Sequence, residues 1–395
     1  MTSSKRAGRK AGVDKIVLLG FAIGRTVRVF LIASASLLLC FGAKAATNEF
    51  LPDEPSPWDT SLNLRPGFGY KDNLALSRTN REDSVFVSTE LDLAVLRLPL
   101  DGRQFTAFIT GEDTRFLEGE EIRYEQYLAA VSEFKMDLGA HWNASALVQY
   151  VYQNQIVDVS TIERTLGPVR VEGHRLGVWP ATFRRDLSRN FWLQAETRVH
   201  RQFFKEPLDD YWEPGGRVTF GSDYGFRSTA SLNYEIKQLI FDTREQAASD
   251  GTLIPGKPLR FTQHDAELML RHNLDARRRW RSFTRLSFQA NTDNGSGFYD
   301  YYRYQVSQQM SYVAHSWDLR ASARASYYDF SIQPATLTDG STRAKTLVTF
   351  SLRAEKRLVK QLKLFAEWEH ERSISNRPVE EYFVNKVVGG IDFEL

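Results

Sequence analysis

Seven histidines are the side chains best suited to proton chemistry in this 395-residue sequence: His141, His174, His200, His264, His272, His315 and His370. Hydrolytic work would need one of them beside a Ser and Asn, or beside paired acids. His200 is the best placed, because Glu196, Arg198 and His200 alternate and so share one face of an extended strand. A lone His among polar neighbours is more often an ordinary lining group than a catalyst. No two histidines have metal-ligand spacing, and no cofactor is expected. Gly251 to Lys257 reads Gly-x-x-x-x-Gly-Lys, but Pro258 stands where a phosphate-binding loop needs Ser or Thr. It is expected to be a coincidence within a loop.

The start of the chain sets the compartment. Residues 1–45 have the pattern of an export signal: a basic beginning, an apolar run from Val29 to Phe41, and Ala43-Lys44-Ala45 as a small-x-small cleavage site. Cleavage would fall between Ala45 and Ala46; an uncleaved N-terminal anchor is the alternative. The full chain has 51 basic and 49 acidic residues. Removing the signal leaves 43 against 48, a net of −5. The basic excess therefore belongs to the signal and does not point to a nucleic-acid partner. The single cysteine, Cys40, leaves with it, so no disulfide framework is needed.

Residues 46–59 read as a polar leader with Pro52, Pro55 and Pro57. From residue 60 to 395 the chain alternates. Phe191, Leu193, Ala195, Thr197 and Val199 oppose Gln194, Glu196, Arg198 and His200. Leu319, Ala321, Ala323 and Ala325 oppose Arg320, Ser322, Arg324 and Ser326. About sixteen such stretches occur, with fourteen to eighteen allowed. Each is roughly ten residues long, the length that crosses a bilayer when tilted. No apolar run in residues 46–395 reaches the ~18 residues of a membrane helix. Connections alternate in length. Short turns are expected at Pro99–Gly102, Lys135–Leu138, Asp186–Asn190, Gly221–Gly225, Asp275–Trp280, Ala314–Ser316 and Arg357–Gln361. Long loops are expected at Asn154–Val169, Gln238–Arg260 and Ser331–Thr342. Trp142, Phe191, Trp192, Phe226, Phe283 and Trp317 follow short turns, while Tyr150, Tyr152, Tyr302, Tyr304 and Tyr327 adjoin long loops. Two aromatic girdles would give that distribution. The fold expected is an all-β, antiparallel up-and-down transmembrane barrel with both termini periplasmic. Arg277-Arg278-Arg279-Trp280-Arg281, the densest basic run, then becomes a turn near anionic headgroups.

The last fourteen residues carry a resemblance. Phe383, Val387, Ile391, Phe393 and Leu395 share one face, with Lys386, Asp392 and Glu394 on the other. This resembles the closing strand of Gram-negative outer-membrane β-barrels, although those usually end on Phe, and here Phe393 stands two residues short of Leu395. The loop opened by Tyr70-Lys71-Asp72-Asn73 is similar to one in a group of Gram-negative β-barrel porins. The resemblance implies an assembly signal at Ile391, Phe393 and Leu395, outer-membrane lipids as surroundings, and barrel-assembly machinery and periplasmic chaperones as partners in biogenesis. It leaves room for a homo-oligomer.

In such a barrel the inward face carries Glu196, Arg198, His200, Arg227, Glu235, Lys237, Glu267, Arg271, Arg285, Arg303, Arg320, Arg324, Arg353, Glu355, Glu367 and Glu369. Charges of both signs there require water or partners. The expected function is passive diffusion of small hydrophilic solutes, without catalysis. The alternatives are an outer-membrane hydrolase with a site at the rim and a barrel that exports a polysaccharide or a protein.

Overall fold

The computed structural model describes residues 56–99, 101–163, 167–335 and 340–395. The expected export signal and its cleavage site at Ala45 and Ala46 lie outside them. Sixteen strands follow one another: β1 (Trp58–Lys71), β2 (Ser84–Arg97), β3 (Arg103–Phe116), β4 (Tyr124–Gly139), β5 (Trp142–Asp158) and β6 (Pro168–Asp186). Next come β7 (Phe191–Phe204), β8 (Tyr211–Tyr224), β9 (Ser228–Ala247), β10 (Leu253–Asn273) and β11 (Trp280–Asp293). The last are β12 (Tyr301–Ala314), β13 (Trp317–Pro334), β14 (Thr342–Val359), β15 (Leu362–Ser375) and β16 (Tyr382–Glu394). Each pairs antiparallel with its sequence neighbours, and β1 pairs with β16, so the sheet is a closed up-and-down barrel. A 14-residue strand such as β7 is about 46 Å long at about 3.3 Å per residue, enough to cross a ~30 Å core when tilted.

Closure follows from the two end strands. Leu64 faces Phe393, Phe68 faces Gly389 and Lys71 faces Lys386 across the seam. Leu62 and Leu395 exchange N–H···O bonds of 3.1 and 2.8 Å, so the final residue seals the ladder. Pro66 and Gly67 lie at a close approach to β16: a Cβ on Gly390 would stand 2.2 Å from the Pro66 carbonyl oxygen. Among the described residues no edge strand remains to pair with another chain.

Alternation sorts the two faces as expected. Leu193, Val199, Leu232, Leu286, Leu319, Val387 and Ile391 are exposed on the outside. Arg198, His200, Glu235, Gln289 and Asp392 are buried within. The short turns and the outer ends of β1 and β16 share one end of the barrel. Several expected boundaries move. Strand β4 runs on to Gly139, past the turn expected at Lys135–Leu138, and β8 runs on to Tyr224, past Gly221. The reversals fall where glycine supplies left-handed backbone, at Gly139 and Gly225. The Gln238–Arg260 stretch is mostly strand, and the ends of the other long loops are strand too. β9 and β10 keep pairing as far as Ala247 and Leu253, and β5 and β6 as far as Asp158 and Pro168. Beyond the apolar outer belt neither face need be apolar, so a paired hairpin there reads as a polar loop. The Gly251–Lys257 stretch straddles the β9–β10 tip, with Gly251 in the reversal and Lys257 in β10, and no helix follows it.

Candidate functional site

The lumen collects the charged side chains, and register decides which of them meet. On β7, β8 and β9, His200 lies opposite Glu213, Arg198 opposite Gly215, and Arg217 opposite both Glu196 and Glu235. The His200 Nδ1 is 3.0 Å from the Glu213 carboxylate and 2.6 Å from the Arg175 guanidinium on β6. Arg175 also donates to Glu213 at 3.1 Å. Arg198 donates to Glu235, and Arg217 reaches the other oxygen of Glu235 at 2.5 Å and Glu196 at 3.6 Å. Lys237 stands 3.9 Å from both Glu213 and Glu235. This network is packed rather than open. His200 is 2 % exposed, with the Trp179 ring 4.7 Å away. Gly177 lies so close that a Cβ there would stand 2.5 Å from the imidazole. A solute has no path to that ring.

A second network lines β14 to β4. Arg65 donates to Glu90 at 2.9 Å and also pairs with Asp92 at 2.8 Å and Asp392 at 3.3 Å. Arg353 holds Glu355 at 2.8 Å and Glu367 at 2.7 Å. Lys386 donates to Glu112 at 3.2 Å, and Lys71 to Glu125 at 3.0 Å. Acids outnumber bases on this arc, because Glu133, Glu369 and Glu371 also face inward. The neighbouring arc is basic. Arg285 pairs with Glu267 at 3.0 Å and Arg303 with Asp265 at 3.4 Å. Arg320 and Arg324 on β13 are exposed to the lumen and, among the described residues, have no ion-pair partner. Strand β13 stands eight places from β5 in the ring, so these two cations face the β4–β5 side, where Glu133 lies. Sixteen strands make a wall too wide for side chains to fill.

Most residues expected inside are there. The exception is Arg227, which sits in the β8–β9 turn with left-handed backbone (φ 60°) and not in the wall. Arg271 is on the inward register near the short-turn end, opposite Thr229 and Phe283. Two aromatics expected in the outer girdle point inward instead. Trp192 shares the inward register of Gln194 and Glu196, and Phe283 that of Arg285. The Arg184 guanidinium covers the Trp192 ring at 4.3 Å, and that of Arg285 lies 5.7 Å from the Phe283 ring. Four histidines face outward beside a partner: His174 with Tyr150, His264 with Tyr234, His272 with Tyr224 and His370 with Asn385. His141 and His315 lie in short turns. Sequence reading missed Arg175, Glu213 and Arg217. Pro214, Gly215 and Gly216 interrupt the alternation of β8, and the parity of Val218 and Phe220 was the available signal.

The mouth at the long-loop end is crossed. Beyond the pair Gln126–Asn154 strand β5 leaves β4, yet it stays paired with β6 to its tip. That hairpin turns inward. Asp158 is bonded by Lys345 of β14, which also donates to Ser160 at 2.9 Å. Glu163 accepts from Arg244 of β9 at 2.6 Å. Ile162 packs against Leu239, Phe241, Leu259 and Phe261. The 72–83 loop folds in as well: Leu74 is fully buried among Phe86, Phe116, Phe365 and Val388. Arg343 and Glu380 form a fully buried pair at 2.8 Å. Apolar residues such as Leu74 and Ile162 within polar loops were the sequence signal for this arrangement.

No family model matches the chain, and no curated protein matches it. Solved structures that resemble it include OccAB1 of Acinetobacter baumannii, with 10 % identity and a TM-score of 0.46, over 89 % of this chain and 99 % of that one. The outer membrane protein opdK of Pseudomonas aeruginosa aligns with 11 % identity and a TM-score of 0.44, over 85 % and 99 %. A bacterial polysaccharide outer membrane secretin aligns with 10 % identity and a TM-score of 0.41, over 85 % and 97 %.

Proposed function

We propose that the chain is a bacterial outer-membrane channel that passes small hydrophilic solutes by diffusion, with no catalytic step. The observation that carries this reading is the pair of unpartnered cations, Arg320 and Arg324, in a charged lumen behind an apolar outer wall. Structural ion pairs would explain the Arg65 and Arg353 networks. They do not explain cations left open to water beside an acidic arc. Such a lining biases which ions enter and orients polar solutes between the two arcs. The hairpin across the mouth favours small solutes over a polymer conduit. The burial of His200 disfavours hydrolysis at that residue. The same reading puts the short turns and both chain ends in the periplasm, the long hairpins outside the cell, and β16 before the assembly machinery and its chaperones.

Recording from refolded protein in a planar bilayer tests the channel. Stepwise conductance with a reversal potential that depends on the salt gradient is expected. A barrel that inserts but stays silent, even after the hairpin tip is removed, would overturn the reading.

A further inference from the structure

Two features of the outer wall that the channel does not use meet at one place. The first is an apolar groove of about 510 Å³ across the outside of β11 to β16. Its floor exists because small residues face one another: Ala354 pairs with Ala366, and Ala366 with Gly389, with Ala321 alongside. Trp280 and Tyr312, their rings 4.5 Å apart, stand at one end, and Trp368 stands toward the other. Five strand spacings of about 4.8 Å give a length of about 24 Å. That exceeds half of a ~30 Å hydrocarbon core, so a chain lying in the groove runs obliquely through one leaflet.

The second feature is charge at the Trp280 end. The turn before β11 carries Arg277, Arg278 and Arg279. Asp275 organises it: its carboxylate accepts from the Trp280 N–H at 3.0 Å and its carbonyl from the Arg278 N–H at 2.9 Å. Arg279 is held to Asp275 at 3.4 Å. The guanidinium groups of Arg277 and Arg278 have no partner among the described residues. Nearby, Lys356 Nζ lies 5.4 Å from the centre of the Trp317 ring on the same rim. Cations just beyond outward-facing Trp side chains lie at headgroup depth.

We propose that this is a binding site for an anionic glycerophospholipid, with its phosphate at Arg277–Arg279 and an acyl chain in the groove from Trp280 toward Trp368. The proposal rests on the reading of the outer wall as lipid-facing. A second copy of the chain is a poorer occupant. In the same orientation it would bring its own cationic turns to this height, and like charges would meet.

Native mass spectrometry of the detergent-purified full chain, offered phosphatidylglycerol and phosphatidylcholine with identical acyl chains, tests the site. The protein should retain one phosphatidylglycerol with at least about tenfold preference. Replacing Arg277, Arg278 and Arg279 together with Ala should bring the ratio close to one. Ala354→Phe, which fills the groove floor, should lower retention, and Ala366→Leu serves if that variant does not fold. Folding of each is checked by heat-modifiable migration on gels. Undiminished preference in the arginine variant, or undiminished retention in a folded groove variant, would overturn the proposal. So would displacement of phosphatidylglycerol by an equal concentration of lipid A. A wild-type barrel that conducts in a bilayer but shows no preference loses this site alone. One that fails to insert loses the membrane reading with it.

Discussion

Lys345 on β14 is bonded to Asp158 at the end of β5, although the two strands stand seven apart in a ring of sixteen. Opposite walls of such a ring are beyond side-chain reach, so the contact exists because the β5–β6 hairpin crosses the mouth. Both side chains are nearly buried, at 3 % and 9 % exposure. Lys345→Ala strands the carboxylate and should cost about 3–5 kcal/mol of hairpin docking. Single-channel recording should then show a larger or noisier conductance. The double variant Lys345→Met, Asp158→Leu should restore the quiet state, since an apolar pair of similar volume is tolerated where a lone charge is not. Unchanged conductance in Lys345→Ala would mean that the hairpin does not narrow the path.

The same hairpin should respond to pH through Glu163. Burial pushes this carboxyl above the ordinary range; Arg244 pulls it down, and Asp209 adds to the rise. The docked hairpin therefore binds its proton more readily than the undocked one. By linkage, docking is favoured as pH falls toward the raised value and loses that contribution as pH rises through it. Conductance should drop as pH is lowered from neutral through the raised range of this carboxyl. Glu163→Gln should flatten that part of the profile. An unaltered profile in the variant would remove Glu163 from the response.

The orientation has a direct test. Single cysteines at Gly102, Ala276 and Gln361 should be dark to an impermeant thiol reagent on intact cells, while cysteines at Gly251 and Gly340 should react. Gly102, Gly251 and Gly340 carry left-handed backbone at 73°, 83° and 67°, so these three variants need a folding check first. Labelling of the first group alone would invert the barrel.

Legibility in the sequence followed the apolar outer wall. Wherever a strand's outer face is apolar, alternation shows it, as in Leu319, Ala321 and Ala323 against Arg320, Ser322 and Arg324. Where that wall ends, the reading failed. The far ends of β5–β6, up to Asp158 and Pro168, and of β9–β10, up to Ala247 and Leu253, are paired backbone with mixed faces, and they look like loops. Trp192 and Phe283 follow short turns as girdle residues do, but each is one register step away, beneath an Arg in the lumen. Arg227 has the right neighbours for the wall, yet the chain reverses at it. Pairing partners were beyond reach altogether. Glu213 meets His200, Arg175 and Lys237 because three hairpins set their heights, and no local pattern fixes those heights.

Closure of the barrel hangs on a close approach at the seam. A side chain at Gly390 would meet the Pro66 carbonyl oxygen at 2.2 Å, the Gly67 Cα at 2.9 Å and the Phe365 ring at 2.9 Å. Backbone atoms on β1 cannot yield as a flexible side chain can. Gly390→Val should therefore prevent β1–β16 pairing, and an open edge in lipid is not tolerated. The heat-modifiable band should vanish and the protein should be degraded. Gly389→Ala is the control, since its Cβ would have 3.5 Å to the Phe365 carbonyl. Normal insertion of Gly390→Val would show that the seam can rearrange. Removal of Ile391 to Leu395 should fail in the same way, because it deletes the Leu62–Leu395 bonds and the Leu64–Phe393 pair.

The lumen cations decide the channel reading. Arg320 and Arg324 face water without ion-pair partners among the described residues, and Arg285 is bound to Glu267 at 3.0 Å on a partly open wall. Replacing all three with Ala removes no buried pair, so folding should change by about 0–1 kcal/mol. The change should appear in selectivity. Three positive charges are lost from the basic arc while the acidic arc of Glu90, Asp92, Glu112 and Glu367 stays intact. The reversal potential in a KCl gradient should therefore move toward cation preference. The opposite face supplies the contrast. Leu319 is 40 % exposed on the outside, and Leu319→Arg would put a charge into hydrocarbon at roughly 2–4 kcal/mol near the midplane. That variant should insert poorly. If the lumen variant fails to insert while Leu319→Arg inserts normally, inside and outside are exchanged. If both insert and selectivity is unchanged, solutes do not pass the arginines, and the channel reading falls with them.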